Sequence, residues 1–278
     1  YVSPDVLTKF QAETGFRVVH EVFASSTETK ALLHAGSNRY DVMIQAGAQL
    51  RQVLSQPNSI ELFDRARLPN IGGLDPATLK FTNILDPGNT HSAPYMWGTV
   101  GLGVNKAKVR AIKPDAPLDS LSLIMDPALA AEISKCGIAI VDEPNDALPA
   151  LAAWLGFDMT NLGITDIEAL DQAIGKISPF VTVIGTDSFI DVLAKGKYCV
   201  AWGYSGDVAV ARSRAKENGT GAIVYSVPKE GSHLWFDMLV IPAKAPNKDG
   251  GYLLVDYLMR PDVAGANTNY IQYANPVT

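Results

Sequence analysis

Tyr204 and Asp207 stand three residues apart in Gly203-Tyr204-Ser205-Gly206-Asp207, and Trp235 and Asp237 stand two apart in Trp235-Phe236-Asp237. A carboxylate beside a π-face is the pairing an organic cation needs: charge from the acid and cation–π contact from the ring. Asp146, which follows Asp142-Glu143-Pro144-Asn145, and Tyr273, in Ile271-Gln272-Tyr273-Ala274-Asn275-Pro276, extend the set, with Tyr95 and Trp97 as further rings. A slot lined by rings and acids suits a diamine or longer polyamine, because carboxylates take the ammonium groups while rings cover the methylenes. Acids held close together repel one another until a cation enters, which favours binding of one. Each member alone also has a plainer reading. Rings pack cores, and an aspartate such as Asp207 or Asp146 at the head of a helix caps it.

Other chemistries find less support. His20, His34, His91 and His233 are scattered without ligand spacing and read as surface or internally satisfied histidines; no metal site is expected. Gly203-Tyr204-Ser205-Gly206 lacks the G-x-S-x-G pattern of a nucleophile elbow, so a hydrolase using Ser205 is the minor alternative. No Walker or G-x-G-x-x-G pattern is present, and no cofactor is expected. A net charge of −6 argues weakly against nucleic acid and is compatible with a cationic ligand. Cys136 and Cys199 form no CxxC pair and fit either one disulfide or two buried thiols.

The elements that must position these groups alternate. The 278 residues, 47% of them apolar, suffice for two packed lobes, and no apolar run is long enough to span a membrane. Pro4 to Thr14 reads as a helix closed by Gly15, and Phe16 to Phe23 as a strand. A helix from Ser25 to Gly36, a short strand Tyr40–Ile44 and a helix Ala48–Leu54 follow, and this alternation implies a parallel sheet. Residues 56–90 read as loops, and Ala93 to Asn105 as a long strand able to pass between lobes. Residues 106–135 are helical and loop-like. Strands at 137–141, 181–184 and 198–204 then alternate with helices at 146–155, 167–177, 188–194 and 207–214. Strands 222–227 and 235–241 and a helix 251–259 complete the pattern. Tyr198 to Tyr204 thus delivers Tyr204 and Asp207 to the carboxyl end of a strand, where ligands bind in open α/β sheets.

Six segments together resemble the periplasmic polyamine-binding proteins of bacterial ABC importers, the putrescine and spermidine type. They are Tyr40-Asp41-Val42, Asp86-Pro87-Gly88-Asn89, Pro94-Tyr95-Met96-Trp97-Gly98-Thr99, Gly203-Tyr204-Ser205-Gly206-Asp207, Pro228-Lys229-Glu230-Gly231 and Phe236-Asp237. They keep similar order and spacing over essentially the whole chain. The resemblance implies an α/β, two-lobed type II periplasmic-binding-protein fold with hinge strands and an inter-lobe cleft. Its lobes are expected at 1–102 with 227–265, and at 103–226 with 266–278, the latter with its C-terminal part truncated. The chain is expected to be a mature or trimmed piece, because Tyr1 reads as an interior residue. The resemblance further implies a Cys136–Cys199 disulfide and a ligand set of Tyr1, Asp146, Thr186, Tyr204, Asp207, Trp235, Asp237 and Tyr273.

In that set Asp207 and Asp237 hold ammonium groups, while Tyr204, Trp235 and Tyr273 form an aromatic box. Asp146 stands where relatives often carry glutamate and would act through water. Ala46 replaces a serine common in relatives, and Ala24 an aspartate, so specificity is expected to differ. The implied function is a non-enzymatic, monomeric receptor of the periplasm. It closes on a polyamine, putrescine or spermidine, and presents it to an ABC permease, with no role for nucleic acid. A different amine or an amino-acid-like ligand in the same fold is the alternative.

Overall fold

The computed structural model describes residues 1–23, 25–159, 161–185 and 188–278. The chain divides into two compact units, one of Tyr1–Trp97 with Trp235–Thr278 and one of Gly98–Leu234.

The first unit holds α1 (Pro4–Thr14), α2 (Ser26–His34), β1 (Met43–Ala46), α3 (Gly47–Leu54) and α4 (Pro76–Thr82). The strand β2 (Ser92–Asn105) begins here and continues into the second unit. The second unit adds α5 (Lys106–Ile112), α6 (Ser122–Met125), α7 (Pro127–Ile133), β3 (Ile138–Ile140), α8 (Pro144–Leu155), α9 (Ile164–Ile177) and β4 (Val183–Ile184). It continues through α10 (Ser188–Ala194), β5 (Val200–Tyr204), α11 (Ser205–Asn218) and β6 (Ile223–Ser226). The chain returns to the first unit at the start of β7 (Leu234–Val240), followed there by α12 (Lys248–Leu258) and α13 (Pro261–Ile271).

Local chemistry sets many of these bounds. Gly15, at φ 76°, closes α1 in the left-handed region. Ser25 caps α2 by accepting from the Glu28 N–H, and Asp75 caps α4 ahead of Pro76. That helix was not legible among residues read as loops, although its Asp-Pro start is a usable signal. Residues 16–23 form no strand, contrary to their apolar run: Val19 is 71% and Val22 81% exposed. A strand needs a neighbouring edge to satisfy its backbone, and composition alone does not supply one.

The sheets are mixed rather than parallel. In the first unit β1 pairs antiparallel with β7, placing Ala46 opposite Asp237. In the second, β3 lies parallel between β4 and β5, while β2 runs antiparallel to both β5 and β6. The core of that unit gathers Phe189, Leu193, Ala201, Val208 and Ala211. Gly203 serves this packing, since a Cβ there would come within 2.5 Å of the Phe189 ring.

The division between units falls at 97/98 and 234/235, where 102/103 and 226/227 were expected. Residues 266–278 join the first unit, not the second. The reason is contact: α13 packs on α1 and α12, and isolated bridges tie Trp97 to Ala274 and Leu74 to Val277. In the second unit Cys136 and Cys199 are joined as a disulfide, with Cα atoms 5.7 Å apart.

Candidate functional site

Each unit carries its own acid–aromatic set. In the first, strand alternation puts Trp235 and Asp237 on one face of β7. Phe236 points the other way and stacks on Phe81, ring centroids 6.4 Å apart. Trp235 and Tyr273 meet edge to face at 5.1 Å, Tyr273 and Tyr1 at 5.9 Å, and Tyr1 and Tyr95 at 6.1 Å. The rings therefore form a continuous chain of quadrupoles. Gln272, at φ 65°, ends α13, and the Trp97 N–H donates to the Ala274 carbonyl, which fixes Tyr273 between them.

Tyr1 is 40% exposed as a residue, but its hydroxyl end is buried beside Asp237. Burial, then the charge of Asp237 and a hydrogen bond to it, push that phenol well above its ordinary pKa. Tyr95 belongs to this set, although the sequence reading kept it only as a candidate ring. Its hydroxyl donates to the Tyr1 carbonyl at 3.0 Å and accepts from the Asn267 amide at 3.3 Å. Asn267 is fully buried and accepts from the Ser3 N–H, so Tyr1 is held by a relay running back to α13.

The second unit builds its set from hydrogen bonds. Tyr204 ends β5 and Asp207 lies in the first turn of α11. Tyr204 occupies the N-cap position, so Asp207 is not the cap; its charge lies at the positive end of the helix dipole. Asp146 sits in the first turn of α8, whose cap is Glu143. The Tyr204 hydroxyl donates to Asp146 Oδ2 at 2.5 Å. Burial first, then Asp146, Glu143 and Asp207, raise the Tyr204 phenol far above its ordinary pKa. His233 was read as an unremarkable histidine, yet its Nδ1 lies 2.6 Å from Asp146 Oδ1. No sequence spacing links residues 87 positions apart (233 − 146); only the fold does. Thr186 and Ala24 lie outside the described residues.

Two of the segments that carry the family resemblance turn out to be structural. Asp86 is fully buried, and its Oδ2 accepts from the His91 N–H, the Ser92 N–H and the Ser92 hydroxyl at 2.8–2.9 Å, which anchors the start of β2. Glu230 accepts from the Ser120 hydroxyl and the Leu121 N–H, which fixes the turn Pro228–Gly231. Among the described residues no group of three or more His, Cys, Asp or Glu side chains could hold a metal ion.

The family model for bacterial extracellular solute-binding proteins matches residues 5–278. The chain belongs to that family. Its members are receptors for solutes, which sets aside the hydrolase reading of Ser205. The chain is 37% identical over 277 residues to a putrescine-binding periplasmic protein of Pseudomonas aeruginosa, covering 99% of this chain and 75% of the relative. A putrescine-binding periplasmic protein of Escherichia coli is 36% identical over 279 residues, with the same coverage. Among solved structures, a spermidine/putrescine ABC transporter substrate-binding protein of Streptococcus pneumoniae matches with TM-score 0.80 and 25% identity, over 100% of this chain and 80% of that one. The fold is accordingly the two-unit α/β fold of periplasmic solute-binding proteins. Among the described residues no helix is long and apolar enough to cross a membrane.

Proposed function

We propose that this chain is a periplasmic receptor that captures a polyamine and delivers it to an ABC importer. The observation that carries the reading is the pairing, in each unit separately, of carboxylates with aromatic rings: Asp237 with Tyr1, Trp235 and Tyr273, and Asp146 and Asp207 with Tyr204. Each set has the chemistry to receive an ammonium group and its neighbouring methylenes. A polyamine carries at least two ammonium groups on one apolar chain, so its chemistry matches either set. The names of the relatives support the same class. Asp207 and Asp237 are proposed as the ammonium acceptors, with Tyr204, Trp235 and Tyr273 as the rings. Tyr1, Asp146 and Thr186 complete the proposed set, and Tyr95 joins it as the support of Tyr1.

Ala46 favours a ligand preference different from that of the serine-bearing relatives. It faces Asp237 across the β1–β7 ladder with a methyl group in place of a hydroxyl, one hydrogen bond fewer beside that acid. The test is calorimetric titration with putrescine, spermidine and lysine. Saturable binding of one or both polyamines, lost in Asp237→Ala, is the expected result. Binding of lysine alone, or of no amine, defeats the polyamine assignment while leaving the family intact.

A further inference from the structure

Tyr1 brings its phenol to Asp237 from a segment that no ladder holds. Residues 1–3 precede α1 and lie outside any helix or strand. Contacts from far along the chain tie them down: the Tyr1 carbonyl accepts from the Tyr95 hydroxyl at 3.0 Å, and the Ser3 N–H donates to Asn267 Oδ1 at 2.9 Å. Both contacts converge on Asn267, because its Nδ2 donates to that same Tyr95 hydroxyl at 3.3 Å. A backbone N–H can only donate, so Oδ1 must face Ser3 and Nδ2 must face Tyr95. The Tyr95 oxygen is the acceptor in that bond, which leaves its one proton for the Tyr1 carbonyl. Burial, then the charge of Asp237, raise the Tyr95 phenol above its ordinary pKa and keep that proton in place. The relay therefore runs in one direction, and Ser3, Tyr95 and Asn267 are all buried.

We propose that Asn267 is a positioning residue for amine binding, which holds Tyr1 beside Asp237 so that the ligand's ammonium group meets a ring-and-acid set already formed. The proposal rests on the polyamine reading. Fixing a loose segment and the ring it carries costs conformational entropy. A relay closed before the ligand arrives removes that cost from binding. Asn267 acts at one remove, through Ser3 on one side and through Tyr95 on the other. Without its amide the Ser3 N–H loses its acceptor, and the Tyr95 hydroxyl loses the donor that directs its proton to Tyr1. A buried amide can also serve stability alone. The two roles part when the Tyr1 side chain is removed: a positioning residue then has nothing left to position, whereas a structural one keeps its effect.

Putrescine is titrated calorimetrically into the full chain, Asn267→Leu, Tyr95→Phe and Tyr1→Ala, and into each of the first two variants combined with Tyr1→Ala. Asn267→Leu is expected to weaken Kd about tenfold and Tyr95→Phe about fivefold. In the Tyr1→Ala background each should cost less than about twofold. Equal losses in the two backgrounds, or an unchanged Kd for Asn267→Leu, overturn the proposal and leave the polyamine reading standing. No saturable binding by the wild-type chain overturns both. Should Asn267→Leu not fold, Tyr95→Phe, which keeps the ring and removes one hydroxyl, decides in the same two backgrounds. Should Tyr1→Ala bind too weakly to compare, absorbance titration of the tyrosines in Tyr95→Phe decides without ligand. Return of the Tyr1 phenol to ionisation near about pH 10 supports the relay, and a phenol that stays shifted overturns it.

Discussion

The acids of the two units are surrounded differently. In the first, Asp237 is placed among rings: Tyr273 lies close enough to Tyr1 to add to the rise of its pKa, and Trp235 meets Tyr273 edge to face. In the second, Asp146 accepts a hydrogen bond from the Tyr204 hydroxyl and lies beside His233, and one ring serves two acids. Rings contribute area and cation–π contact, whereas a buried acid in a charge-assisted hydrogen bond is oriented by its donor. One unit therefore presents mainly ring faces, and the other mainly a hydrogen-bonded acid. The supporting structures differ as well. The first set hangs on a long-range relay through Tyr95 and Asn267, and the second sits in a unit closed by a disulfide.

The largest effect expected from this contrast is on stability. The Cys136–Cys199 bridge spans 63 residues, all within the second unit. Closing a loop of that length stabilises by about 4 kcal/mol on the chain-entropy model. A Cys136→Ser/Cys199→Ser double variant should lose about that much in urea unfolding, detected first by Trp202 fluorescence in the second unit's core, with Trp235 fluorescence following later. Simultaneous loss of both signals at an unchanged midpoint would show that the bridge does not distinguish the units.

Next in size is the unequal cost of removing the acids. Asp237→Ala should weaken putrescine binding about 100-fold, the loss of a partly desolvated charge pair. Asp146→Asn should cost about tenfold or less, because that carboxylate already accepts from the Tyr204 hydroxyl. Equal losses in calorimetry would erase the distinction drawn here. The rings should follow the same asymmetry. Trp235→Leu should cost about tenfold, from lost cation–π contact and covered methylenes. Tyr204→Phe, which keeps the ring and removes only the hydroxyl on Asp146, should cost less than about threefold.

Much of this contrast was legible in the chain. Trp235 and Asp237 are two apart on a strand, and Tyr204 and Asp207 flank a strand-to-helix turn, so local periodicity alone puts each pair on one surface. The long strand β2 was legible for the same reason, as an unbroken apolar run. What was not legible depends on partners distant in sequence. Residues 16–23 have the composition of a strand and no neighbour to pair with. Residues 266–278 return to the first unit through bridges to Trp97 and Leu74, which no local pattern announces. His233 belongs to the second set because a turn fixed by Glu230 and the helix α8 bring it to Asp146. Tyr95 was visible as a ring, but its hydrogen bonds to Tyr1 and Asn267 join positions 94 and 172 residues away.

The smallest effect concerns alkaline pH, where the two sets should behave alike. Burial, reinforced by Asp237 for Tyr1 and by Asp146 for Tyr204, raises both phenols above the ordinary tyrosine value. A phenol whose folded pKa is raised gives stability that is intact below its unfolded value of about 10 and is lost as pH climbs beyond it, because the unfolded chain ionises first. Tyr225, half-buried and bonded to Thr99, is pushed up to about 12 by that burial and adds to the same loss between roughly pH 10 and 12. Tyr1→Phe and Tyr204→Phe should each flatten the decline of the unfolding midpoint above about pH 10, and Tyr204→Phe should keep putrescine affinity within about threefold of wild type between about pH 5.5 and 8. A loss of more than about threefold for Tyr204→Phe in that range would mean that its hydroxyl meets the ligand directly, and the contrast between the units would then rest on a different contact.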